Sequence, residues 1–150
     1  PSIHGIVTLG VVLALMFVAW LFSAQAIYEL YFGSWTPTSV SEFARQILTT
    51  SSGWKLIIVG CGVGFLFAVV VLMISVVSLP MLLDRNVGVA TAVRTSIRAV
   101  LANPMTMAIW GLIVAGTLVV GSLPFFVGLA IVLPVLGHST WHLYRKLVER

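Results

Sequence analysis

The sequence predicts an all-α, polytopic membrane bundle of four transmembrane helices and two amphipathic helices lying in the interface. Three observations carry this. First, 60% of the residues are hydrophobic and only 8% are charged, against about 25% charged in a soluble domain. A soluble chain with this composition would expose more apolar surface than solubility tolerates, and the mean hydropathy of +1.14 agrees. Second, the apolar residues are gathered into uncharged runs long enough to cross a hydrocarbon core of about 30 Å at about 1.5 Å per residue. Third, the segments between the runs place their apolar residues on one helical face.

The first span is expected at about residues 6–28, in a stretch with no charge before Glu29. Tyr28, Tyr31, Phe32 and Trp35 follow it, aromatic residues that favour the headgroup level. Residues 39–50 then change character. Ser39 and Glu42 have capping-box spacing. Val40, Phe43, Ala44, Ile47 and Leu48 share one face, with Arg45 and Gln46 off it. That pattern predicts an interfacial helix ended by Gly53, with Trp54 and Lys55 anchoring the next span.

The second span is expected at 56–83, with Pro80 near its inner end and Asp84-Arg85 stopping it. A second amphipathic helix follows at 87–102, with Asn86 as its N-cap. Val87, Ala90, Val93, Ile97, Val100 and Leu101 form its apolar face, and Thr91, Arg94, Thr95 and Arg98 its polar face. Residues 99–144 carry no charge, and as one helix they would run about 70 Å, over twice the core thickness. The turn signal Gly121-Ser122-Leu123-Pro124 divides them into antiparallel spans at 105–121 and 125–143.

Orientation follows from Lys and Arg. Arg85, Arg94, Arg98, Arg145, Lys146 and Arg150 fall on one side, and only Arg45 and Lys55 on the other. The richer side is expected to be cytoplasmic and to hold both termini, in a bacterial inner membrane, with 1–150 forming one transmembrane domain. The net charge is +4, but the basic residues form no single patch or stripe, which argues against nucleic acid as a partner. Cys61 is the one cysteine, so neither an intramolecular disulfide nor a zinc-type cysteine spacing exists. The chain begins with Pro1, with no basic segment of a signal peptide before the first run, and is expected to come from a longer protein.

"SVVSLPMLLDRNVGVATAVRTSIRAVLANPM" from Ser75 to Met105, "GSLPFFVGLAIVLPVLGHSTWHLYRKLVE" from Gly121 to Glu149, and "LTTSSGW" at Leu48 to Trp54 resemble a proteobacterial integral-membrane family, domain of unknown function 2189. The resemblance is expected to cover essentially the whole chain. It implies a longer, six-span protein of which this chain is the C-terminal portion. No catalytic motif defines the family. Some members are labelled as related to cytochrome c oxidase, and this chain lacks the histidine constellation of the catalytic oxidase subunit.

Few residues suggest chemistry. His138 and His142 lie one helical turn apart, and His4 is expected at the same inner depth, so the three could ligate a metal or haem. The alternative is a membrane exit rich in His, Trp141 and Tyr144, with no carboxylates to orient the imidazoles. Gln25 and Glu29 lie one turn apart, but no carboxylate falls at mid-bilayer where a proton relay would need one. Gly60-Cys61-Gly62-Val63-Gly64 has no lysine and follows no strand, so it is not a nucleotide loop. Gly60, Gly64 and Ala68, with Gly111, Ala115 and Gly116, are small residues that let helices approach closely. Arg94 and Arg98 would meet anionic lipid phosphates or an acidic partner.

The resulting expectation is a non-catalytic subunit without cofactor. It would contact membrane lipids and other membrane subunits within a larger respiratory or energy-transducing complex. The alternatives are a small-solute or lipid transporter, or a haem- or metal-binding membrane protein.

Overall fold

The computed structural model describes residues 2–123 and 126–148. It is helical throughout, with seven segments among the described residues: α1 (Ile3–Phe32), α2 (Val40–Thr49), α3 (Ser51–Ser75), α4 (Ser78–Asp84), α5 (Val89–Ala102), α6 (Pro104–Ser122) and α7 (Leu129–Val148). Three stretches among the described residues are long and apolar enough to cross a membrane: Ile3–Phe32, Ser51–Asp84 and Pro104–Ser122. Residue contacts divide the chain into two compact units, one of Val11–Val71 and one of Pro1–Gly10 with Leu72–Arg150.

In the first of these units, α1 stops where a left-handed residue lets the chain turn. Gly33 has φ +60° and donates its N–H to the Glu29 carbonyl at 2.8 Å. Glycine adopts this conformation without a Cβ penalty. The aromatic residues then fold over the end. The Tyr28 hydroxyl donates to the Trp35 carbonyl at 2.8 Å, and Phe32 packs against Tyr28 and Trp35 with ring centroids 5.5 Å away in each case.

Ser39 caps α2 by accepting the Glu42 N–H at 3.2 Å. Glu42 completes the cap one residue further out than a standard capping box. Its carboxylate accepts the Thr38 N–H at 2.9 Å and the Thr38 hydroxyl. These bonds hold the exposed Glu42 carboxyl below its ordinary pKa, with the Thr38 hydroxyl the largest cause. A carboxylate with a lowered folded-state pKa contributes stability above the ordinary carboxylate range, and loses it as pH falls through the lowered value. The α2 amide protons should therefore exchange faster as pH drops below that range, after correction for intrinsic rates. Glu42→Gln should remove this pH dependence.

Gly53 does not end α2. That helix stops at Thr49, and Gly53 lies buried in the first turn of α3. The corner is held by Thr50, whose hydroxyl donates to the Gln46 carbonyl at 2.6 Å and accepts the Gly53 N–H at 3.0 Å. The Trp54 indole N–H closes it by donating to the Leu48 carbonyl at 3.0 Å. A Cβ on Gly53 would stand 2.0 Å from the Ile47 carbonyl oxygen, so absence of a side chain here is a packing requirement.

The second unit contains the core. Leu9, Val76, Val77, Met81, Leu82, Ala92, Val100, Met107 and Tyr144 are its buried apolar and aromatic residues, and Ser78 and Ser96 are buried with them. α4 is its hub, packing on both α5 and α7, while α6 packs on α5 and α7. The start of α1 joins it, with the Ser2 N–H donating to the Leu82 carbonyl at 3.0 Å.

The expected uninterrupted second span is broken at Val76–Val77. Pro80 supplies the reason. It has no N–H to give the Val76 carbonyl one turn back, and its ring crowds that carbonyl. Two further expectations change here. The N-cap of α5 is Gly88, not Asn86, and it makes no side-chain cap bond. The buried stripe of α5 is Ala92, Ser96 and Val100, rotated from the expected apolar face, so that Ala90 is exposed and Leu101 is 65% exposed.

At the α6–α7 turn, Gly121 and Gly128 approach closely: a Cβ on Gly128 would stand 2.7 Å from the Gly121 carbonyl oxygen. Phe126 adopts φ +64°. The expected turn signal falls here, although its Pro124 lies outside the described residues.

Candidate functional site

The buried polar side chains of the second unit, Ser78 and Ser96, lie at the break, and the Tyr144 hydroxyl reaches the end of α4. Opening the helix at Val76–Val77 leaves backbone groups that need partners. The Val77 N–H finds one on another helix, donating to the buried Ser96 hydroxyl at 3.2 Å. The Ser78 hydroxyl donates to the Ile74 carbonyl. Backbone bonding then resumes, with the Met81 N–H on the Val77 carbonyl at 3.0 Å. Ser96 thus sits on the buried face because a broken helix, not an apolar surface, faces it.

At the end of α4, Asp84 accepts the Tyr144 hydroxyl of α7 at 2.9 Å, and the Arg85 guanidinium lies 3.6 Å from the same carboxylate oxygen. Arg85 is thus the local partner of Asp84, and Tyr144 is the long-range one. Tyr144 is 2% exposed, so the bond clamps α7 onto α4. Removing one partner of a hydrogen bond to a charged group costs about 1.5–3 kcal/mol. Tyr144→Phe should lower the unfolding free energy from a denaturant titration by that order, and the midpoint with it. An unchanged midpoint would show that the clamp adds nothing. Among the described residues, every buried side-chain nitrogen or oxygen has a hydrogen-bond partner. The cluster is therefore suited to anchoring helices.

The histidines are placed differently. His138 and His142 are exposed, with ring centroids 5.3 Å apart and edge to face. His4 is also exposed. Among the described residues no group of three or more His, Cys, Asp or Glu side chains gathers to hold a metal, so His4 does not join the pair in a ligand set. Gln25 does bond Glu29, donating from Nε2 at 2.8 Å.

The small residues divide into two kinds. Gly64 meets the Trp20 indole at ordinary contact distance, and Gly111 likewise meets Leu72. Gly60 and Gly116 face open space, and Ala68 and Ala115 are exposed. The positions with tight helix contact are Gly5, Gly53, Gly121 and Gly128, which the four-residue spacing does not pick out. Trp20, Ala24, Ile27, Leu56, Gly60 and Val63 line a cavity of about 200 Å³. Arg94 and Arg98 are exposed on α5.

A family model described as a predicted integral membrane protein, domain of unknown function 2189, matches residues 2–84. The match runs from the start of α1 to the end of α4, so residues 85–105 and 121–149 of the segments that carry the resemblance lie outside it. No curated protein and no solved structure matches the chain.

Proposed function

Since the chain belongs to that family of predicted integral membrane proteins, we propose that it serves as a non-catalytic accessory subunit of a larger bacterial membrane complex, respiratory or otherwise energy-transducing. The observation that carries this reading is the bareness of its most apolar segment. None of the most apolar window of Ser51–Asp84 is buried, and Gly60, Gly62, Cys61 and Ala68 lie open along it. Lipid can cover such a surface, but small residues also let a partner helix approach, and that gain in packing is what drives helix association in a bilayer.

In this reading the chain crosses four times. α7 supplies most of the fourth crossing, expected at about 125–143, although its later turns carry His138, His142, Arg145 and Lys146. The Tyr144–Asp84 bond supports it, because it sets the end of α7 beside the end of α4 after the α6–α7 hairpin. α2 and α5 then belong to opposite sides of the membrane, with α5 and both termini cytoplasmic by the basic-residue count.

Extraction of the tagged native protein in mild detergent tests the subunit role. A defined set of membrane proteins should copurify and be lost on Gly60→Leu/Ala68→Leu. Recovery of the chain alone would remove the basis for the proposal. The cavity lined by Trp20 and Leu56 favours lipid handling as a second reading, which lipid transfer between liposomes, abolished by Gly60→Leu, would support. A Soret band in the purified protein would instead point to the haem reading.

A further inference from the structure

We propose that α5 is an anionic-lipid-binding helix, whose Arg94 and Arg98 hold the phosphate of acidic phospholipid headgroups at the membrane surface. The proposal rests on membership of a membrane family and not on the subunit role.

The buried residues of α5 set its orientation. Ala92, Ser96 and Val100 are buried, and the Ser96 hydroxyl accepts the Val77 N–H. This bond fixes the rotation of α5 about its axis. Residues two positions from this stripe point the opposite way at about 100° per residue. Arg94 and Arg98 are there and are exposed, with Thr91 beside them. Leu101 on the same side is 65% exposed, and Met105, at the start of α6, is 74% exposed. A helix that presents arginines together with bare apolar side chains has the form of an interfacial helix, its apolar residues entering the acyl boundary and its cations at the phosphates.

The charge around α5 is mostly of one sign. Residues 85–150 contain one acidic residue, Glu149, against Arg85, Arg94, Arg98, Arg145, Lys146 and Arg150. Asp84, just before this stretch, is engaged by Tyr144 and Arg85. Among the described residues no acidic side chain pairs with Arg94 or Arg98. Neither arginine is neutralised by a described carboxylate, and a guanidinium binds phosphate through parallel N–H bonds. Because α5 lies directly between the apolar stretches ending at Asp84 and starting at Pro104, the nearest dense source of phosphate is the leaflet surface.

The test uses the full chain carrying Cys61→Ala and Thr91→Cys, labelled with a thiol-reactive fluorophore at the introduced cysteine and reconstituted in phosphatidylcholine vesicles. Quenching by headgroup-labelled phosphatidylglycerol is compared with quenching by headgroup-labelled phosphatidylcholine. An attraction of the usual size for a basic residue at an anionic surface gives a preference of about fivefold per arginine and about 25-fold for the pair. The preference should shrink in high salt, vanish in Arg94→Gln/Arg98→Gln, and persist in Arg94→Lys/Arg98→Lys. Equal quenching by the two lipids, or a preference that survives Arg94→Gln/Arg98→Gln, would overturn the proposal. A preference for neither lipid together with retention of an acidic protein on this face would assign the arginines to a protein partner instead. Circular dichroism of each variant confirms that helix content is retained.

Discussion

Gly53→Ala should loosen the α2–α3 corner and destabilise the protein by about 1–3 kcal/mol or more, the range for overpacking a tight site. The new methyl group would stand 2.0 Å from the Ile47 carbonyl oxygen and 2.4 Å from the Ile47 Cα. These are backbone atoms, so no side-chain rotation relieves the clash and α2 must move. Movement opens the bonds that make the corner, from the Gly53 N–H to Thr50 and from the Trp54 indole to the Leu48 carbonyl. Hydrogen exchange should rise across α2 and the first turn of α3, while the core amides around α4 stay protected. Gly60→Ala is the control, because its Cβ would meet nothing within 4 Å. Equal protection of α2 in Gly53→Ala and the parent would refute the close approach.

Ser96→Ala should destabilise the second unit by about 1–3 kcal/mol, the penalty for leaving a buried donor unsatisfied. The donor is the Val77 N–H, and both Val77 and Ser96 are 0% exposed. Ser96→Ala and Pro80→Ala should also be coupled. An alanine at position 80 regains an N–H for the Val76 carbonyl and loses the ring that crowds it. The helix can then run on from α3 into α4, and the Val77 N–H can return to an intrahelical carbonyl. In that background Ser96→Ala should cost much less. Denaturant titration of the four proteins gives the interaction energy directly. Strictly additive effects would mean that Ser96 does not serve the break.

Much of this fold is legible in the sequence, for identifiable reasons. The uncharged runs mark α1, α3 and α6 because the cost of charge in a bilayer leaves few other ways to write them. Ser39 and Glu42 announce the start of α2 because a cap is a local bond between near neighbours. What is not legible depends on contacts between distant residues. Pro80 is visible, but not that the helix opens three residues before it and turns the Ser96 side of α5 inward. Tyr144 reads as an interfacial aromatic, and only the fold brings it to Asp84, sixty positions away. Gly53 has the look of a helix stop. Its true role, admitting the Ile47 backbone, needs both helices to be in place. Arg94 and Arg98 read as a pair from their spacing, but that no described carboxylate pairs with them is evident only once Asp84 is seen to be occupied.

Cysteine accessibility in intact cells tests the proposed four-crossing topology most directly. In a Cys61→Ala background, single cysteines replacing Ser41, Asn86 and Lys146 are exposed to a membrane-impermeant maleimide before and after permeabilisation. The position of Ser41, on α2, should label in intact cells. Those of Asn86, between α4 and α5, and Lys146, at the end of α7, should label only once the membrane is opened. Labelling at Lys146 from the side opposite Asn86 would contradict the fourth crossing, and labelling at Ser41 and Asn86 from the same side would contradict the account as a whole.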